Sequence, residues 1–600
     1  MLRRATALYM RTGTFSSPKE IEPDQIALAM PGIVPAVGAS ASHPPPRGRE
    51  LAEPGAQATG AMTWGSYARR VTRQQRLTLI ATILGSTVVF LDGTIVNVAL
   101  PSLGRELNAG LAGQQWVVEA YMLTMVSLLL VGGSLGDQFG RRRLFVIGLV
   151  AFGACSVLCA LAPSEGFLIG ARALQGVAGA LLVPGSLAIV AATFEGEARG
   201  QAVGTWTAWT GIATVFGPAG GGALVGLTSW RAIFWINIPL IAATVVLALR
   251  VIEESSDPDA TRGIDVPGVL LSAAGLAGPV FALIEQPSHG WGDPLVWLPL
   301  VGGVACFVSF VLWEGRAKRP MLDLSLFRIR NFAVANLTTL TVYAGLGAGL
   351  LFVGLYLQQV VGYTPLEAGL ATMPISLCLF LLSPRFGRLA SGVGPRLPMT
   401  VGPIVAGAGV LLFIRLDPGA SYVTDVLPAV LAFGVGMSMT VAPLTATVLD
   451  SVSPNRVGIA SGINNGVSRV AGLLAIAVLG AVISAHFGAR LDSELGARAN
   501  VPGHPLPYRR FTLADEEALS EAQEQPLGVP DTSKLPPTEA RVLVAAASDA
   551  STSALHFGVG IAGGLMILGG IASGVGIRNR RRAGPQDAED PEKLDLAAHA

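Results

Sequence analysis

Fourteen apolar stretches, each close to twenty residues long, follow one another between residues 78 and 577. They run 78–101, 114–134, 144–162, 167–192, 203–227, 231–251, 266–285, 295–313, 332–357, 366–386, 398–415, 425–448, 458–486 and 553–577. A bilayer core of ~30 Å needs roughly 20 apolar residues per helix. The chain therefore reads as an all-α integral membrane protein with fourteen transmembrane helices. Composition agrees, with 51% hydrophobic and 14% charged residues and a mean hydropathy of +0.55. A soluble domain carries nearer ~25% charged residues. The net charge of +1 provides no basic field for nucleic acid.

The distribution of basic residues orients the spans. With the N-terminus inside, the short cytoplasmic loops and the span ends bordering them hold fifteen, among them Arg141, Arg142, Arg143, Arg316, Arg328 and Arg330. The short outside loops hold three, Arg105, Arg231 and Arg415. Arg578 to Arg582 then place the C-terminus inside as well. Residues 1–74 are polar and proline-rich and read as a disordered cytoplasmic extension. They lack the apolar core of a signal peptide, and Met62, just ahead of the basic cluster Arg69 to Arg76, is an alternative start. A polar extracytoplasmic loop is expected at about 488–552, and a cytoplasmic tail at 579–600.

The chain also repeats itself. GGSLGDQFGRRR, Gly132 to Arg143, has a copy 254 residues later: Gly133, Leu135, Gly140, Arg142 and Gly148 align with Gly387, Leu389, Gly394, Arg396 and Gly402. The two hinges follow spans 2 and 10, eight helices apart. Two six-helix halves, 75–252 and 331–578, then enclose two inserted helices in 253–330. Such duplication places one binding site between bundles that rock against each other.

Fourteen spans and the paired hinge resemble the major facilitator superfamily, and further stretches resemble its fourteen-span drug:proton antiporter branch. Span 1 ends in LDGTIVNVALP, Leu91 to Pro101, similar to that branch's first-helix motif. Span 4 carries LIGARALQGVAGALLVPGSLAIV from Leu168, similar to the superfamily's buried-arginine motif. GPAGGGAL, Gly217 to Leu224, resembles the antiporter glycine-proline motif, and Ala442 to Arg469 resembles the stretch joining spans 12 and 13. The likeness covers about 75–578. Two departures stand out: Ser391 replaces the acid Asp137 in the second hinge, and span 10 has no mid-membrane carboxylate.

A charge at mid-bilayer costs roughly 2.5–3.5 kcal/mol on insertion scales, so each needs a reason. Asp92, Glu119 and Arg172 all fall in the outer part of the first half. Desolvation and a nearby guanidinium act oppositely on a carboxylate, as a proton-coupled site requires. Asp92 is expected as the principal proton carrier, Glu119 as a second acid facing the cavity, and Arg172 as the group that tunes them. The alternatives are a structural Asp92–Arg172 ion pair and a Glu119 that faces water at the outer mouth. In the resemblance Gly217, Pro218, Gly221 and Gly222 lie where the halves close on the outside; a plain glycine-rich helix contact is the other reading. Gly133 and Gly136 are expected to let span 2 pack on the other half, with Asp137 paired to an arginine or capping a helix. Gly140, Arg141 and Arg142, with Gly387, Arg388, Gly394 and Arg396 of the second hinge, complete the hinge set. Asn97, Gln175, Asn465 and Arg469 are polar candidates for either substrate contact or structure.

Neither a GxxxxGK[ST] phosphate loop nor an HExxH or nucleophile–base pair occurs in a span. The six histidines do not group, and Cys155, Cys159, Cys306 and Cys378 lie in apolar runs. No enzyme activity, metal or cofactor is expected. The resemblance implies a proton-driven exporter of small amphipathic drugs, dyes or biocides. Its partners would be a small-molecule substrate, protons and the bilayer, and a monomer suffices. The expected location is a bacterial plasma membrane, the scarcity of lysine relative to arginine pointing to a high-GC genome. Export of a cell-envelope lipid or lipid conjugate is the alternative.

Overall fold

The computed structural model describes residues 72–579, except 195, 257–264, 318–321, 454–455, 500–518 and six positions between 520 and 534. Expectations for residues 1–71, Met62 included, and for the tail beyond 579 lie outside the described residues. So does much of the expected polar loop, at 500–518.

The described chain is helical from end to end. Its first half comprises α1 (Arg73–Leu107), α2 (Leu111–Phe139), α3 (Arg141–Ala160), α4 (Glu165–Thr193), α5 (Gly196–Leu227) and α6 (Ala232–Val251). Next come α7 (Val266–His289) and α8 (Pro294–Glu314). The second half comprises α9 (Arg330–Gln359), α10 (Pro365–Val393), α11 (Arg396–Arg415), α12 (Tyr422–Asp450), α13 (Val457–Ala499) and α14 (Pro537–Gly576). Among the described residues thirteen helices are long and apolar enough to span a bilayer. The fourteenth is α2, which bends by 51° between Leu129 and Val131, just before Gly132 and Gly133. A glycine pair is a common place for a helix to kink.

Within the first half α2 packs on α4, α4 on α3, and α1 on α5, α6 and α4. Within the second, α11 packs on α12 and α14, α9 on α14 and α13, and α10 on α12. The halves are joined chiefly by α5 with α10, α2 with α13, and α1 with α9. The inserted α7 and α8 form a hairpin, and α7 lies on both α2 and α13. Leu298, Val301, Val304 and Val308 of α8 are exposed. Such a continuous apolar face is out of place in water and fits lipid.

One departure from the sequence reading concerns the outer loop. The segment expected as a polar loop at 488–552 is helical at both ends, because α13 continues to Ala499 and α14 begins at Pro537. At 1.5 Å per residue these helices of 43 and 40 residues reach ~60 Å, twice the bilayer core. Leu491 and Leu495 are buried in one apolar core with Leu543, Ala546, Ala547 and Ala550. Polar residues on the outer faces hide this pairing from a search for uninterrupted apolar runs.

Candidate functional site

The buried polar centre of the first half is built from five helices. Asp92 of α1 forms an ion pair with Arg172 of α4, the two side chains being 0% and 1% exposed. The other carboxylate oxygen accepts from Gln175 Nε2 at 3.2 Å and from Asn237 Nδ2 at 3.0 Å. Both amides also donate to Ser156 Oγ of α3, at 2.9 and 3.2 Å. Arg172 donates in addition to Gln175 Oε1 at 2.7 Å and to the Val117 carbonyl of α2 at 3.0 Å. The Tyr121 ring lies under its guanidinium at 4.2 Å.

The local fold accounts for this convergence. Arg172 and Gln175 sit three residues apart, so both project from one face of α4. Asn237 stands where α6 is interrupted between Trp235 and Asn237. Pro239 lacks the N–H that would bond the carbonyl four residues earlier, which loosens the helix there. Asn237 and Ser156 were not singled out from the sequence. Each is an ordinary polar residue in an apolar run, and only the packing of α3 and α6 on α1 and α4 gives them a partner.

Glu119 does not join this centre. It is 0% exposed, and among the described residues neither carboxylate oxygen has a hydrogen-bond partner. The expectation that it faces a cavity is corrected: helix packing shuts it away in this conformation. One turn earlier, Gln115 donates across to the Ile476 carbonyl of α13 at 3.0 Å.

The halves meet at the end opposite the hinges. A Cβ on Gly222 of α5 would lie 2.3 Å from the Pro365 carbonyl of α10. One on Gly369 of α10 would lie 2.3 Å from the Pro218 carbonyl. Backbones this close require glycine. Gly217 and Gly221 instead face side chains of α1 in their own half, Thr94 and Ile95. Gln359 Nε2 donates across the seam to Gln114 Oε1 at 3.3 Å.

Among the described residues the hinge glycines Gly133, Gly136 and Gly387 do not make the expected contact between halves. The nearest neighbour of a Cβ on Gly133 is Pro184 of the same half at 3.4 Å, and Gly136 has nothing within 4 Å. Gly387 likewise faces its own half, at Ala442. The far end is closed and the hinge end splayed, which removes the surface those glycines would pack on.

The two hinges are nonetheless built alike. Gly140 and Gly394 have φ of +107° and +88°, a region that favours glycine. Asp137 accepts from Arg141 Nε at 2.8 Å. Glu254, just past α6, accepts from the backbone N–H groups of Arg142 and Arg143 at 3.0 and 3.2 Å. A carboxylate at a helix N-terminus satisfies orphan donors and the dipole together. In the second hinge Asn579, just past α14, takes that place and accepts from the Arg396 N–H at 3.1 Å. Ser391 bonds the Arg388 carbonyl at 2.7 Å. The copy has thus lost both acids, Asp137 and Glu254, while keeping the backbone turn.

The remaining candidates are scattered. Asn97 Oδ1 is buried without a partner. Asn465 is exposed and bonds the Ser461 carbonyl of its own helix at 3.0 Å. Arg469 reaches across to the first half, where Met125 Sδ lies 3.9 Å away and the Phe90 ring 5.5 Å. Among the described residues no group of three or more His, Cys, Asp or Glu is placed to hold a metal ion.

Comparison with known proteins places this geometry. Residues 82–476 match the sequence model of the Major Facilitator Superfamily. The chain is 37% identical over 450 residues to the multidrug resistance protein Stp of Mycobacterium tuberculosis, covering 74% of this chain and 82% of that one. It is 36% identical over 434 residues to the puromycin resistance protein pur8 of Streptomyces alboniger, covering 71% and 85%. Over 521 residues it is 30% identical to the tetracenomycin C resistance and export protein of Streptomyces glaucescens, covering 87% and 94%. A bacterial homologue of the human lysosomal transporter Spinster, solved inward-facing and unoccupied, shares the fold with a TM-score of 0.54 at 16% identity, covering 84% and 98%. With its helical membrane fold and this similarity to drug-resistance proteins along most of its length, the chain belongs to the Major Facilitator Superfamily of transporters.

Proposed function

We propose that the protein exports small amphipathic compounds from a bacterial cell in exchange for protons, by alternating access. The observation that carries this reading is the Asp92–Arg172 centre: a carboxylate sealed in the first half, held by a guanidinium and two amides. Both termini lie in the cytoplasm on this reading, so the closed end is the outer one and the splayed hinge end opens inward. Asp92 is then an anion satisfied by its donors while substrate enters from the cytoplasm. After the halves rock, the outer end opens and substrate leaves. A proton from outside neutralises Asp92 and loosens its hold on Arg172. The protonated form returns inward, where the donors recapture the carboxylate and the proton departs. Each ligand thereby binds one orientation better than the other, which is what moves the equilibrium.

Glu119 is the second acid in this scheme. It lies sealed from solvent while the outer end is shut, and a lone charge in such a position is costly. The Asp137–Arg141 and Glu254 contacts act as a latch on the first half, remade as the hinge end opens and closes. Similarity to resistance and export proteins supports the direction and the substrate class. The test is Asp92→Asn in vesicles with an imposed pH gradient. Proton-driven dye export is expected to vanish while the purified variant stays monodisperse. Export at the wild-type rate under the same gradient would end the assignment.

A further inference from the structure

Four ionisable groups lie deep within the spans: Asp92, Glu119, Arg172 and Arg469. The first three are wholly buried, at 0%, 0% and 1% exposure, and Asp92 and Arg172 neutralise each other. Arg469 is different. It is partly exposed, and among the described residues it forms no ion pair with any carboxylate. It meets the sulfur of Met125 at 3.9 Å and the face of Phe90 at 5.5 Å. A thioether is a weak acceptor and a guanidinium has five donors, so nearly all its hydrogen-bonding capacity is unspent.

The surroundings are those of a ligand wall. Asn465, one turn nearer the splayed hinge end on the same side of α13, is exposed. Gly462 and Gly466 have nothing within 4 Å of where a Cβ would stand. Phe90 is backed edge-on by Trp206 at 6.2 Å between ring centres. Met125 follows Tyr121 by one turn of α2, and Tyr121 lies against Arg172. One strip of α2 thus separates the open seam from the proton centre.

Resting on the export reading above, we propose that Arg469 binds an anionic oxygen group of the substrate, with the half-buried ring of Phe90 receiving its apolar or aromatic body. The substrate class is then amphipathic anions: carboxylates, sulfonates or acidic phenols. Both deep carboxylates are closed off from the seam, so a cationic drug meets no counter-charge there. Energetics point the same way. An anion leaving and a proton entering both move in the direction an inside-negative potential drives. A bidentate guanidinium–carboxylate contact is also among the stronger hydrogen-bonded pairs.

Three dansyl probes of similar body test the charge preference: dansylglycine (carboxylate), dansylglycinamide (neutral) and dansylcadaverine (cation). Binding to purified protein in nanodiscs, read by tryptophan-to-dansyl energy transfer, needs no gradient. Wild-type protein is expected to prefer the carboxylate to the amide by roughly tenfold or more, given a charged hydrogen bond's usual strength. Arg469→Gln is expected to bring that ratio to about one, whereas Arg469→Lys retains part of it. A ratio unchanged in Arg469→Gln, or a wild type that binds the amide or the cation as well as the carboxylate, would overturn the proposal. A purely structural arginine would weaken all three probes together and leave the ratio intact. Nanodiscs with and without phosphatidylglycerol separate a soluble anion from a lipid headgroup, since displacement by the anionic lipid would name the headgroup as occupant. Proteoliposome transport under a pH gradient is the separate arm. Preferential binding without gradient-driven movement would uphold the anion site and overturn proton-coupled export.

Discussion

Asp92 receives donors from Arg172, Gln175 and Asn237, so each of those side chains carries a measurable share of the centre's stability. Leaving a buried partner unsatisfied costs about 1–3 kcal/mol. Asn237→Leu is therefore expected to lower the thermal unfolding temperature in detergent while the protein remains folded. Arg172→Leu strands a buried carboxylate and is expected to cost more, about 3–5 kcal/mol. Adding Asp92→Leu removes the stranded charge, so the double variant is expected to unfold later than Arg172→Leu alone. Equal melting of the single and double variants would show that the pair is not energetically coupled. Glu119→Gln preserves size in a site where the carboxylate has no hydrogen-bond partner among the described residues. It is expected to fold normally and to flatten the pH dependence of export; an unaltered pH profile would remove Glu119 from the proton route. Asp92, Glu119 and Arg172 were legible because charges are conspicuous in apolar runs. Ser156 and Asn237 were not, since nothing in their own neighbourhoods separates them from incidental polar residues.

The halves approach backbone to backbone along α5 and α10, at Gly222 against Pro365 and Gly369 against Pro218. A side chain there meets a carbonyl rather than a movable side-chain end, so the helices themselves have to part. Gly222→Leu and Gly369→Val are both expected to wedge the far end open. Vesicles loaded with a pH-sensitive dye would then leak protons several-fold faster than wild type. A vesicle as tight as wild type would mean that this interface is no seal. Gly220, whose Cβ would meet nothing within 4 Å, is the matched control: Gly220→Ala is expected to leave the vesicles tight. The glycines were visible as a motif, but which of them face another backbone was not. Rotation about the α5 axis decides that, and sequence spacing leaves its partner unnamed. The same limit applied to α13 and α14, whose helical extensions are held by apolar residues on their facing sides. Outside the membrane, only packing distinguishes such a helix from a loop.

For the whole molecule, the present conformation is closed at one end and splayed at the other, with the hinge glycines Gly133, Gly136 and Gly387 turned to their own halves or to open space. Rocking should bring the two hinges together. Spin labels at Phe139 and Ser391 are expected to report two distances whose balance shifts with pH, and Asp92→Asn is expected to suppress the shift. A single distance unchanged from mildly acidic to mildly alkaline buffer would count against bundle rocking. By itself the sequence determined the number of spans, their helical character and the repeated hinge. Each follows from a local rule: bilayer thickness counts residues, hydrocarbon demands internal backbone bonding, and glycine permits positive φ. The tertiary structure alone decided which charges meet, which end is shut, and that Arg469 stands without a carboxylate partner among the described residues. Those are distances between residues far apart in the chain, fixed by how helices rotate and pack, and no local rule encodes them.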